Sequence, residues 1–127
     1  MLDINAHVNH LRECSREDWA VALELCGAGR VRHGLFFAHL SLEKLLKALV
    51  CRKTNDLAPR IHNLVRLAQL AGLAPPSEIL DVLADMNRFN LEGRYPDYGG
   101  AIPDADELRV IIRRMEEAAA WLTAMFQ

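Results

Sequence analysis

Apolar positions recur at helical spacing along most of the chain, and the clearest run covers residues 33–51. Its leucines and alanines repeat at steps of three and four, which places them on one broad face of an α-helix. A second line at steps of four, formed by His39, Glu43 and Lys47, runs along the same helix. The pattern predicts one long central helix from about residue 30 to residue 53.

The residues before this helix predict a shorter one. Ser15, followed three residues later by Asp18, has the form of a helix N-terminus, because a hydroxyl can accept an early backbone N–H and an acid favours the positive end of the dipole. The helix is expected to stop at the glycine-rich turn of residues 27–29. Residues 2–13 carry only a weak helical pattern, enough to add a turn or two.

Three more helices are predicted downstream, at about 61–72, at about 75–86 and from Asp104 onwards. Asp104 and Glu107 have the spacing of a capping box. Residues 91–106 have no sustained period and are predicted to form a loop. Because no segment alternates over the length of a strand, the sequence predicts an all-α bundle of four to five helices with a long polar loop before the last helix.

Composition narrows the class of protein. The chain has 127 residues, 51% hydrophobic and 25% charged, with a formal net charge of −2. These values predict a single soluble domain over residues 1–127 and give no overall electrostatic argument for nucleic acid. The first residues lack the basic start and apolar core of a signal peptide, and no apolar run approaches the ~20 residues of a membrane span. The sequence therefore predicts a cytoplasmic protein without membrane association.

Cofactor chemistry is not indicated. The three cysteines, Cys14, Cys26 and Cys51, are widely spaced within helical patterns, which predicts buried thiols without basic partners nearby. Two pairs have the spacing of metal ligands on one helix face, but each lacks a third ligand: His7 with His10, and His39 with Glu43. Neither a P-loop nor a GxSxG motif is present. We therefore expect no metal and no cofactor.

Two short stretches add polar groups to the line on the central helix. Glu43 and Lys47 could form a simple i, i+4 pair or belong to a site. His62 and Asn63 lie at the predicted start of the third helix, where the histidine could either satisfy backbone groups or serve a ligand. The sequence leaves both alternatives open.

The second stretch lies in the predicted loop, where Arg94, Tyr95, Asp97 and Tyr98 follow one another closely. Arginine offers a planar fork suited to phosphate or carboxylate, and tyrosines offer faces on which a base can stack. Loops of this length inside a compact domain are uncommon unless they are functional. The alternative is structural: Arg94 and Asp97 would pair with each other, and the tyrosines would fill the end of the bundle.

Together these stretches resemble the HEPN family of small helical domains. Residues 38–48, AHLSLEKLLKA, look like the family's long-helix signature, residues 62–64, HNL, like its His-x-Leu helix start, and residues 94–97, RYPD, like its RYP loop. The order and spacing of the three also match, and the resemblance covers roughly residues 15–125.

This resemblance implies an up-and-down bundle that commonly forms a homodimer with a polar cleft near the RYP loop. It also implies a partner, an MNT-type nucleotidyltransferase, in a toxin–antitoxin-like pair. In that setting Arg94 would clamp a phosphate of a nucleotide or RNA, and Tyr95 or Tyr98 would stack on a base or accept a transferred nucleotide. The remaining expected site residues orient or line the cleft: Glu43, Lys47, His62, Asn63 and Asp97.

Active family members are metal-independent ribonucleases with a histidine four to six residues beyond the loop arginine. Here those positions hold Gly99, Gly100 and Ala101, so the usual acid/base group is missing. Arg32 and His39 have the right spacing only as a string, because both belong to the predicted central helix. Two alternatives therefore remain: a ribonuclease using Arg94 with His62 or Asp97, and a non-catalytic dimeric interaction module.

Overall fold

A computed structural model of the chain describes residues 2–90 and 101–127. Over these residues the protein is helical, without strands, and the all-α prediction is confirmed. Residues 88–90 are also helical. The five helices with both ends described are α1 (Ile4–Gly27), α2 (Val31–Thr54), α3 (Leu64–Leu70), α4 (Ser77–Met86) and α5 (Ala105–Ala124).

Helix α2 is the centre of the bundle, as its apolar pattern predicts. It packs along α1 over most of its length and also contacts α3 and α5, while α4 packs on α3 and α5. Five of its six leucines are almost completely buried, with Leu46 at 0% exposure, and Leu40 is partly buried. The helix ends at Asn55, whose left-handed conformation (φ 56°) lets its N–H bond the carbonyl of Cys51. Burial on several sides explains why this helix carries the longest apolar run in the sequence.

Helix α1 begins much earlier than predicted. Asp3 caps it by accepting the N–H of Ala6 at 3.0 Å, so the predicted start at Ser15 is wrong. Ser15 lies in the middle of α1, buried against Ser41 of α2. Each hydroxyl donates to the other residue's carbonyl oxygen at 2.7 Å. These reciprocal bonds satisfy two polar side chains at the crossing of the two helices, where the sequence pattern indicated a cap.

Two glycines shape the junction of α1 and α2, Gly29 in the turn and Gly34 within α2. Gly29 has a φ of 82°, a conformation that L side chains rarely adopt. Gly34 lies where α2 crosses α1, and a Cβ added there would lie 2.9 Å from the carbonyl oxygen of Ala22. Close approach of the two backbones therefore requires glycine at position 34.

The later helices match their predicted positions more closely. Helix α3 starts at Leu64 instead of Ile61, because Asn63 is its N-cap and accepts the N–H of Arg66 at 3.1 Å. The capping box predicted at the start of α5 is present: Asp104 accepts the N–H of Glu107, and the Glu107 side chain accepts the N–H of Asp104. Among the described residues, none of the helices combines the length and apolar character that crossing a membrane requires.

Candidate functional site

A buried carboxylate lies where α2 faces the start of α3. The side chain of Glu43 is 6% exposed, and its two oxygens have different partners. Oε1 accepts a hydrogen bond from Nδ1 of His62 at 2.9 Å, and Oε2 accepts one from Nζ of Lys47 at 3.1 Å. A buried charge is tolerated when it is paired and hydrogen-bonded in this way. We call Glu43, Lys47 and His62 the Glu43 cluster.

His62 is the most accessible member of the Glu43 cluster. Its side chain is 46% exposed, whereas that of Lys47 is 18% exposed. An ionised carboxylate can only accept, so the proton in the bond to Glu43 lies on Nδ1 of His62. In the neutral ring Nε2 is then the unprotonated nitrogen, able to take a proton from a ligand or, once protonated, to donate one. The interpretation of His62 as a group that only satisfies backbone at the helix start is wrong, since its bond goes to Glu43.

The pair formed by Glu43 and Lys47 matches the simple i, i+4 alternative and also belongs to the larger cluster. Lys47 reaches back one helical turn to the carboxylate. The two side chains are mostly buried, so the pair is less screened by solvent than a surface pair. Removing Lys47 would leave His62 as the remaining partner of the buried carboxylate, whereas removing Glu43 would leave the mostly buried Lys47 without its described partner, so we expect the second change to be the more destabilising one.

A second histidine lies behind this carboxylate. His39 is 0% exposed, and its Nδ1 is 3.8 Å from Oε1 of Glu43. Burial lowers the pKa of His39 to about 4, although Glu43, the side chain of Asn87 and the backbone of His62 all favour its protonated form. Neither ring nitrogen makes a hydrogen bond of normal geometry to the described residues, so these neighbours act on His39 only weakly. At neutral pH His39 is therefore an uncharged polar group in the wall of the site.

Asn87 joins the end of α4 to the start of α3. Its Oδ1 accepts the N–H of Leu64 at 2.8 Å, and its Nδ2 donates to Oδ1 of Asn63 at 3.2 Å. Asn63, predicted as a site residue, thus acts as a helix cap beside His62. No motif or spacing in the sequence indicated Asn87, because its partners lie more than twenty residues away in the chain.

Four of the predicted site residues lie outside the described part of the chain: Arg94, Tyr95, Asp97 and Tyr98. The described residues bring together the other four, Glu43, Lys47, His62 and Asn63, from α2 and from the segment that leads into α3. Arg32 and His39 both belong to α2, as expected for a chance match to the family's spacing.

The structure corrects the predictions made for the three cysteines. Cys14 does have a basic neighbour, since its Sγ is 3.5 Å from Nε2 of His10 one turn earlier on α1. Cys51 is buried as predicted, but Cys14 and Cys26 are only partly buried, so the prediction of buried thiols is wrong for these two. Within residues 2–90 and 101–127, no three His, Cys, Asp or Glu side chains are grouped so that they could hold a metal ion.

Comparison with known proteins agrees with this architecture. The family model for the HEPN domain matches residues 8–125, and the chain belongs to the HEPN family. Among solved structures, the chain is similar to the crystal structure of an archaeal HEPN homologue, with a TM-score of 0.69 and 20% sequence identity over 100% of both chains. At that identity the likeness concerns the fold. No curated protein matches the chain significantly.

Proposed function

We propose that this chain is a single-domain, cytoplasmic HEPN protein that binds the phosphate of a nucleotide or RNA. In this proposal it forms a homodimer and acts with an MNT-type nucleotidyltransferase in a toxin–antitoxin-like pair. The observation that carries the binding proposal is the Glu43 cluster, in which one carboxylate holds Lys47 and His62 together. The dimer and the nucleotidyltransferase partner are supported by the family resemblance.

The Glu43 cluster has the chemistry needed for an anion. Lys47 carries a positive charge and His62 gains one on protonation, while Glu43 carries one negative charge. The cluster is thus neutral when His62 is neutral and carries +1 when His62 is protonated. A phosphate group is expected to favour the protonated state and to accept from Nε2 of His62. Glu43 keeps both donors in place before the ligand arrives.

The loop residues complete the proposed site. Arg94 would clamp the phosphate through its planar fork, and Tyr95 or Tyr98 would stack on a base or accept a transferred nucleotide. Asp97 would orient the arginine. The role of Asn63 is to hold the start of α3, where His62 begins its reach to Glu43.

Fluorescence anisotropy with a labelled single-stranded RNA, together with calorimetry with ATP, tests the binding proposal. We expect His62→Gln to weaken binding of both ligands about tenfold, as for the loss of one charge-assisted hydrogen bond. Lys47→Gln should weaken RNA binding and make the slope of log affinity against log salt shallower by about 0.7, the value for one phosphate contact on a single strand.

Lys53→Gln is the matched control, because it removes the same charge from the exposed last turn of α2. It should leave ATP binding unchanged. Equal losses in Lys47→Gln and Lys53→Gln would indicate general electrostatic attraction and contradict a site at the Glu43 cluster.

The bond between His62 and Glu43 also favours a second candidate, a metal-independent ribonuclease. A carboxylate that holds Nδ1 leaves Nε2 able to take the proton from a ribose 2′-hydroxyl as its oxygen attacks the phosphorus. The bond to the 5′-oxygen then breaks, and that oxygen takes a proton from water, which leaves a 2′,3′-cyclic phosphate and a 5′-hydroxyl. His62 would then replace the histidine that is absent after Arg94. Cleavage of a structured RNA in EDTA should disappear in both Arg94→Ala and His62→Gln. Cleavage that persists in His62→Gln would reject this candidate.

A further inference from the structure

We infer that Asn87 is the positioning residue that holds His62 in hydrogen-bonding register with Glu43. The inference deepens the proposed function and rests on it only in treating His62 as a site residue. Asn87 itself lies on neither of the two elements that carry the cluster. It follows the last residue of α4 and reaches across to the start of α3.

The start of α3 depends on side chains from outside the helix. Helix α3 has only seven residues, too few to be stable alone in water. Its first N–H groups have no partners within the helix. Asn63 accepts one of them, from Arg66, while Asn87 accepts the N–H of Leu64 at 2.8 Å. Asn87 therefore supplies, from a different helix, one of the bonds that fix where α3 begins.

Asn87 holds the side chain of Asn63, the N-cap of α3, as well as the backbone of Leu64. Its Nδ2 donates to Oδ1 of Asn63, the same oxygen that accepts the N–H of Arg66. The amide of Asn87 thus holds two successive residues, 63 and 64, through two separate bonds. His62 immediately precedes them, so the position of its backbone follows from theirs.

The bond made by His62 is sensitive to this position. Its ring is nearly half exposed, and its described bond is the one to Oε1 of Glu43, at 2.9 Å. Glu43 is held from the other side by Lys47 and surrounded by the packed core of α2, so the carboxylate cannot follow a displaced ring. A shift of about 1 Å at the start of α3 would lengthen the bond beyond hydrogen-bonding distance. The proton would then no longer be held on Nδ1.

The tautomer of His62 in the free protein tests this inference. In ¹⁵N spectra of histidine-labelled protein above the titration range, wild type should show the proton of His62 on Nδ1. In Asn87→Ala we expect this signature to be lost in favour of Nε2–H, which a free imidazole side chain prefers. Asp104→Ala is the control: it removes an N-cap from α5 and should lower stability by about 1 kcal/mol, while His62 keeps its tautomer.

If Asn87→Ala does not fold, the same measurement is made on Asn87→Asp. Asp keeps an oxygen able to accept the N–H of Leu64 but sets a second acceptor oxygen against Oδ1 of Asn63, so one of the two bonds is lost and we expect His62 to lose part of its Nδ1–H population. The inference is overturned if either variant folds and keeps the wild-type tautomer. Because no ligand is present, these outcomes are independent of whether the protein binds ATP or RNA, which the binding experiments decide separately.

Discussion

Replacing His39 should change how the stability of the protein depends on pH. In the folded chain burial lowers the pKa of His39 to about 4, whereas in the unfolded chain the imidazole has its ordinary value of 6.5. Between these values the unfolded state binds more protons than the folded state. The contribution of the neutral imidazole to the free energy of unfolding is therefore fully present above pH 6.5. It is lost as the pH falls from 6.5 towards 4.

The size of the effect follows from the same two values. The difference between 6.5 and about 4 corresponds to about 3 kcal/mol, of which roughly 2 to 3 kcal/mol should be lost between pH 7.5 and pH 4.5. The groups that act on the imidazole are Glu43, which favours its protonation, His62, whose charge opposes it, and the amide of Asn87. Burial outweighs them because His39 is completely removed from solvent.

Urea unfolding followed by circular dichroism at pH 4.5, 5.5, 6.5 and 7.5 measures this directly. The variant is His39→Gln, which stays neutral over the whole range, and the control is His33→Gln, at an exposed position on the same helix. Wild type and His33→Gln should lose the same free energy of unfolding on acidification. His39→Gln should lose about 2 to 3 kcal/mol less. An equal loss in all three proteins would refute the claim that His39 is held neutral by burial.

Two further variants test the packing of the bundle. Gly34→Ala should lower the free energy of unfolding by about 3 kcal/mol, because the new Cβ would meet Sγ of Cys26 and a backbone carbonyl that cannot move away; Gly27→Ala, where nothing lies within 4 Å, should change it little. Phe126→Ala should cost about 2 kcal/mol, since the ring contacts Arg12 at 4.1 Å and a second guanidinium at 5.4 Å. Hydrogen exchange in the last turn of α5 should then become faster, and unchanged protection there would contradict the second prediction.

How much of the fold could be predicted depends on how each helix is buried. Helix α2 is buried on several sides, so it carries a long, nearly continuous apolar run, and its predicted bounds are nearly correct. Helix α1 buries only Val8, Ser15 and Ala22 fully, so its first half leaves little periodic signal. Ser15 resembled a cap because serine is favoured there, but its hydroxyl is satisfied by a residue 26 positions away. Local spacing cannot report such a partner.

The candidate site was predictable only in part, for a related reason. The i, i+4 spacing of Glu43 and Lys47 is local, so their contact was expected from the sequence. The bond between Glu43 and His62 joins residues 19 positions apart, and only the family resemblance suggested that they belong together. Asn87 carries no local signal, since an asparagine after a helix is ordinary. Its importance follows from the two groups that it bonds across the bundle.

The most direct test of the Glu43 cluster as the binding site is a titration of histidine-labelled protein with ATP, followed by ¹⁵N side-chain resonances. The account predicts saturable shifts of the His62 resonances, with little change at exposed His33, which lies near the start of α2, more than two helical turns before Glu43. His62→Gln should reduce the affinity measured in parallel. If ATP binds while the His62 resonances stay unchanged, the ligand occupies another part of the protein, and the account of this site is wrong.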